Sequence, residues 1–260
     1  MDFKKYANLA HKIVKQTEEK CYIDNRSIVE VFFKTEKADK NIVVNRLRVI
    51  DEFYSTHMYT RKFGIEEIAN FISKKSDIEL KDLFLDFLKN PHENQEILEL
   101  FNKPYGYNKN GSSKAFSIIS KYAYFLCEYN FPIYDSKVKE YLPKLLAQYN
   151  IFINKGDIDK NIIDFIIYIK KTIEILKIDD FDKLDSLIWL YWKLNTKGFS
   201  AFINYEYYIE KFKGQNNSQI DDHFIKNWYS DKDIKKILGN DLLEFIKCLE
   251  VNILQVEKKQ

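Results

Sequence analysis

The chain has 260 residues, 45% of them hydrophobic, enough for one large core or two small helical lobes. Its 7 glycines and 4 prolines are too few for the many turns of an all-β fold, and its formal charge of +2 excludes a global electrostatic footprint for nucleic acid, so any basic surface is local. Three cysteines (Cys21, Cys127, Cys248) with no CxxC pair, and four scattered histidines, lead us to expect a reduced, cytoplasmic chain with no metal and no other cofactor.

Helical periodicity appears nearly everywhere, so the expected fold class is all-α. The opening MDFKKYANLAHKIVKQ is charged throughout and lacks the apolar run of a signal peptide. In chain order, helices are expected at 2–20, 26–37, 39–54, 65–74, 78–89, 93–101, 113–127, 136–149, 158–176, 181–195, 219–228, 231–237 and 240–257. Ser76-Asp77 and Asp135-Ser136 read as helix starts, and Asn90-Pro91, Gly156 and Gly239 as stops. Asn102–Ser112 (NKPYGYNKNGS) and Lys213–Ser218 (KGQNNS) read as loops. The most apolar run, Ile162–Ile169, is interrupted by Asp164 and is too short to span a bilayer, so no membrane association is expected. The chain divides into a central helical domain at 26–150, with 1–25 and 151–260 as flanking helices that pack as a second lobe.

One segment concentrates the chemistry. From Phe101 to Cys127 there is no acidic residue but there are four lysines, Lys103, Lys109, Lys114 and Lys121, a local charge of +4. Gly111, Ser112 and Ser113 fall at the expected helix start, where free N–H groups and small hydroxyls suit a phosphate; an ordinary solvated loop with a serine cap is the alternative. In the helix that follows, Ala115, Ile118, Ile119, Tyr122, Ala123 and Leu126 form an apolar arc of about 140° at 100° per residue. Lys114 and Lys121 are two turns apart, about 10 Å, beyond one edge of that arc, where they can border a cleft or simply snorkel into water. Phe131-Pro132-Ile133-Tyr134 is extended by its proline, and Asp135 then stands where an N-cap belongs.

Taken together, a hydroxyl-rich loop, a helix flanked by lysines, and the link PIYDSKV resemble the helix-hairpin-helix DNA glycosylase superfamily. The link is similar to that family's proline-aliphatic-aspartate turn, with Asp135 in the catalytic position. The pair Lys114 and Lys121 resembles the two lysines of the archaeal 8-oxoguanine branch, and either could be the nucleophile. Asn45–Met58 (NRLRVIDEFYSTHM) resembles the upstream helix whose polar end faces DNA, with Tyr54-Ser55-Thr56 in place of a glutamine-containing sequence. The family hairpin usually reads Leu-Pro-Gly-Val-Gly; the equivalent Tyr107–Gly111 here holds one glycine.

The resemblance implies a two-lobed all-α fold. It also implies a DNA N-glycosylase, with or without AP-lyase activity, acting on duplex DNA with a flipped base. Asp135 with Lys121 or Lys114 would be catalytic. Lys109, Gly111, Ser112, Ser113, Ser55 and Thr56 would bind DNA, and Tyr54, Tyr134, Trp189 and Trp192 would line the base pocket unless they are core. Two alternatives stay open: a catalytically inactive DNA-binding module on this scaffold, and a helical protein-interaction or phage-defence component, which the near-neutral charge suits.

Overall fold

Periodicity and capping chemistry account for most of the regular structure. The computed structural model describes residues 2–17, 23–35 and 39–197, with 214–215, 219, 241–242 and 244–246. Among the described residues the helices are α1 (Phe3–Thr17), α2 (Ile23–Lys34), α3 (Lys40–Tyr54), α4 (Gly64–Ile72), α5 (Asp77–Lys89), α6 (Gln95–Asn102), α7 (Phe116–Leu126), α8 (Ser136–Gln148), α9 (Ile162–Leu176) and α10 (Phe181–Lys197). The architecture is therefore mostly helical. Helices expected past residue 219 lie almost wholly outside the described residues. No described helix is long and apolar enough to cross a membrane.

Ser76 and Asp135 start helices as expected. Ser76 and Glu79 form a reciprocal capping box on α5, and Asp39 accepts from the N–H groups of Asn41 and Ile42 to open α3. One expectation is corrected. Asn102–Ser112 is not an irregular loop; most of it is a hairpin of β1 (Pro104–Asn108) and β2 (Gly111–Lys114), antiparallel, with Pro104 opposite Lys114 and Tyr105 opposite Ser113. Asn108 faces Gly111 across a two-residue tip, Lys109-Asn110. The left-handed Gly111 (φ 92°), directly after the tip, supplies the positive φ that lets so tight a turn close.

The hydrophobic residues form one cluster running from Phe3 on α1 through Leu194 on α10 and on to Ile246. Much of the aromatic content goes into a connected stack. Phe101 lies parallel to Phe87 and Phe131, and contacts pass edge-on through Phe116 and Tyr134 to Phe165. α1 and α10 pack on each other, and α10 also packs on α8.

α7 is the centre of this arrangement. Every residue from Phe116 to Leu126 except Ser117 is buried, and α2, α3 and α5 pack around it. A helix enclosed on all sides has no solvent edge. The flanking position expected for Lys121, at a cleft border or in water, is therefore replaced by burial.

A second buried charge joins α3 to α7. The Arg46 guanidinium is 0% exposed and uses all of its N–H directions. Nε donates to Phe32 O at 3.0 Å, one terminal nitrogen to Asp77 Oδ1 at 2.9 Å and Tyr122 Oη at 3.1 Å, and the other to Thr35 O at 2.7 Å and Asp77 Oδ2 at 2.8 Å. This full satisfaction makes a buried arginine tolerable.

Candidate active site

The link from α7 to α8 places one carboxylate beside one amine. After Cys127 the chain reverses through two left-handed residues, Glu128 (φ 51°) and Tyr129 (φ 70°). Pro132 then keeps the chain extended. The buried Ser120 of α7 accepts from Tyr134 N at 2.9 Å, which fastens the link alongside that helix. The next residue, Asp135, caps α8: its Oδ1 accepts from Lys137 N at 2.8 Å and Val138 N at 3.0 Å. Its other oxygen, Oδ2, lies 4.0 Å from Lys121 Nζ. The cap thus fixes the carboxylate through one oxygen and leaves the second turned to the amine.

Lys121 is 2% exposed, and its Nζ donates to Ser117 Oγ, one turn earlier, at 2.8 Å. Burial lowers the pKa of this amine; the negative Asp135 and Asp185 oppose the shift and Lys137 adds to it. Lowering favours the neutral form, which is the nucleophilic one.

α10 completes the surroundings. The Asp185 carboxyl is pushed up to about 7, by desolvation first and then by the charges of Asp135 and Asp182. Burial would also raise Asp182, but Arg26 holds it below the usual carboxylate range through paired contacts at 3.3 and 3.0 Å, with Tyr124 Oη donating at 2.6 Å. Asp185 is not among the residues that the sequence reading picks out. A signal was present: at 100° per residue, Asp182, Asp185, Trp189 and Trp192 fall within about 80° of one another, carboxylates on an otherwise apolar face.

Trp189 and Trp192 lie edge to face with centroids 6.4 Å apart and are partly buried. Lys137 Nζ stands 5.2 Å from the Trp192 ring, so that indole sits at the start of α8, two residues beyond Asp135. Tyr134 is buried between Phe116 and Phe165, and its hydroxyl donates to Asp159 O at 3.0 Å. Tyr54 packs edge-on against Phe125 near the far end of α7.

The hairpin corrects the placement of Lys114. That residue ends β2 rather than riding on α7, because the strand pairing extends to Pro104–Lys114. The two lysines therefore do not share a helix face. Lys114 Nζ donates to Asn102 Oδ1 at 2.8 Å and to Lys160 O at 3.2 Å, and does not approach Asp135 within ion-pairing distance. Gly111, Ser112 and Ser113 are likewise exposed strand residues, with Lys109 at the tip, so they do not form a helix start. The amino end of α7 begins three to five residues later, and its N-cap Ala115 makes no side-chain cap bond.

That helix end forms one wall of a groove of about 540 Å³, whose lining includes Thr56, Arg61, Ser113, Lys114, Ser117 and Tyr134. Thr56, Ser113, Lys114 and Tyr134 are thus brought together, whereas Ser55 is an exposed left-handed cap of α3. Ser117 belongs both to the groove wall and to the Lys121 amine, so the groove ends one hydroxyl from the buried nitrogen.

Among the described residues no cluster of three or more His, Cys, Asp or Glu could hold a metal ion. Cys127 is buried, and burial pushes its thiol up to about 12, which makes it a poor nucleophile. Compared with known proteins, the chain matches no family model, no curated protein and no solved structure.

Proposed function

We propose that the protein is a DNA N-glycosylase with associated lyase chemistry, in which Lys121 is the nucleophile and Asp135 the carboxylate that supports it. The observation that carries the reading is the placement of a buried amine with a lowered pKa 4.0 Å from a carboxylate oxygen that the helix cap leaves free.

Breaking an N-glycosidic bond builds positive charge on the sugar, and a fixed carboxylate beside it stabilises that charge. The neutral amine of Lys121 attacks the anomeric carbon of the sugar of a nucleotide flipped from the duplex. The bonding pair of the old C–N bond leaves with the base, which takes up a proton. Loss of a proton from the new nitrogen and opening of the sugar ring give a Schiff base. Removal of a C2′ proton then expels the 3′ phosphate and cuts the strand. Asp185, near neutrality in its titration, is suited to hold or pass a proton in these steps. Access follows the groove, with the Ser117 hydroxyl giving way at its floor. Lys109, Ser112, Ser113 and Lys114 face the phosphates from the hairpin, Ser55 and Thr56 from the end of α3. Trp192, near Lys137 at the start of α8, and its neighbour Trp189 are the rings assigned to the flipped base, with Tyr134 on the groove wall.

The test is base release and strand nicking on duplex oligonucleotides carrying an abasic site or one of a panel of damaged bases. Lys121→Ala should abolish nicking, Asp135→Asn should lower base release about 100-fold or more, and Lys114→Ala should retain chemistry with weaker binding. Absence of base release, nicking and DNA binding on every substrate would move the protein to the helical interaction class.

A further inference from the structure

Away from Lys121, one surface carries features that no packing role explains. Phe63 is 61% exposed and Tyr107 50% exposed, yet their rings lie side by side, centroids 6.1 Å apart and planes tilted by 49°. Single exposed apolar residues are ordinary. Here the backbone holds two large rings together in water. Lys62 N donates to Tyr107 O at 2.9 Å and Tyr107 N returns a bond to Lys62 O at 3.2 Å. Gly106 N donates to Glu67 Oε2 at 2.7 Å. Gly106 and Gly64 touch so closely that a Cβ on Gly106 would lie 2.8 Å from Gly64 Cα. The buried Asp51 accepts from Met58 N and Tyr59 N, which fixes the approach to this turn.

Phe63 also has left-handed backbone, φ 63° and ψ 1°, which is unfavourable for a bulky ring and natural for glycine. Strain of this kind collects where a side chain must be presented for binding.

The surroundings are cationic. Arg61 and Lys62 lie on the same turn, Lys109 and Lys114 on the hairpin, and Lys160 on the groove wall. Of the nearby carboxylates, Glu66 pairs with Arg48 and Asp159 with Lys139, while Glu67 is held by Gly106 N and offsets one of these five cations. Paired exposed rings amid unneutralised lysines match an anionic polymer whose units have flat faces.

The geometry points to Phe63 and Tyr107 as a stacking platform for unpaired bases of a nucleic acid strand, with the flanking cations holding its phosphates. This rests on the DNA part of the proposed function and requires no chemistry at Lys121. It names the substrate feature recognised, a base out of its pair, on residues distinct from the reacting centre.

The experiment is fluorescence anisotropy of the full chain with labelled oligonucleotides in single-stranded, one-base-bulged and fully paired forms. Phe63→Gly, Tyr107→Ala and Phe152→Ala are measured beside the native protein. Each ring removed should weaken binding to the single-stranded and bulged forms about 5- to 100-fold and change binding to the paired form little. Phe63→Gly relieves the left-handed strain, so its melting temperature should equal or exceed that of the native chain, which separates lost binding from lost folding. Phe152→Ala removes an exposed ring outside the platform and should bind as the native protein does. Native nicking that fails while ring-dependent binding persists would remove the glycosylase reading and leave the platform. Unchanged binding in Phe63→Gly and Tyr107→Ala would overturn the platform. So would ring-dependent binding to phosphatidylcholine–phosphatidylserine vesicles with none to DNA.

Discussion

Replacing Lys121 by methionine should make the protein more stable while removing its chemistry. The native side chain is 2% exposed, and its charged form is disfavoured by burial. Methionine has similar length and carries no charge to desolvate. Whether the exchange stabilises depends on what the amine leaves behind. Asp135 keeps both backbone N–H bonds through Oδ1 and remains partly exposed, so it is not orphaned. Ser117 lies on the groove wall, where water can replace the lost donor. Asp185, already titrating at about 7, can take a proton instead of standing charged. With no orphan created, the exchange should add about 1–3 kcal/mol. For a domain of this size that is roughly 3–10 °C in Tm, read by calorimetry or circular dichroism. The pH dependence has a definite sign. Because the folded pKa lies below 10.5, the cost of burying the ammonium is fully present below the folded pKa and disappears as pH rises toward 10.5. The methionine advantage should therefore be largest at neutral or lower pH and shrink under alkaline conditions. A loss of more than about 3 kcal/mol at pH 7 would refute the reasoning, since that is the signature of breaking a buried pair on which the fold depends.

Other substitutions test separate parts of the account. Arg46→Ala removes five donors from a fully buried position and leaves Asp77, Tyr122 and two carbonyls unpaired, so urea denaturation should show a loss of about 3–5 kcal/mol; a loss below about 1 kcal/mol would contradict the assigned network. Asp185→Asn should raise Tm by several degrees above pH 7 and change it little near pH 4, because a carboxyl raised from 3.8 to about 7 by folding costs stability progressively across that interval, as the unfolded group ionises and the folded one does not; a pH-independent effect would show that Asp185 does not titrate as described. Gly106→Ala combines a left-handed φ of 61° with a backbone contact at 2.8 Å and should cost about 1–3 kcal/mol, measured by thermal melting, whereas Gly111→Ala meets no atom within 4 Å and should cost less.

The helices were legible because amphipathic spacing and capping side chains are local properties. Asp135 and Ser76 do in the structure what their neighbours in sequence imply. The hairpin reads as a loop in sequence because its strands are short, its second strand is exposed along its whole length, and its composition is that of a turn. That error displaced Lys114 and the serines from helix to strand. The burial of Lys121 was hidden for a different reason. An angular reading assigns one apolar face, whereas α7 is enclosed by helices from distant parts of the chain, which no single window reports. Asp185 and Phe63 also depend on tertiary context: the first on the charges facing α10, the second on the contact of two glycines 42 residues apart.

The central claim is that Lys121 is the amine that attacks the sugar. Borohydride reduction of the full chain with an abasic-site duplex, followed by mass-spectrometric mapping of the cross-linked peptide, tests it directly. The account predicts a single adduct on Lys121, absent in Lys121→Met and formed normally in Lys114→Ala. An adduct on Lys114 or on the amino terminus, or no adduct from protein that binds the same duplex, would contradict it.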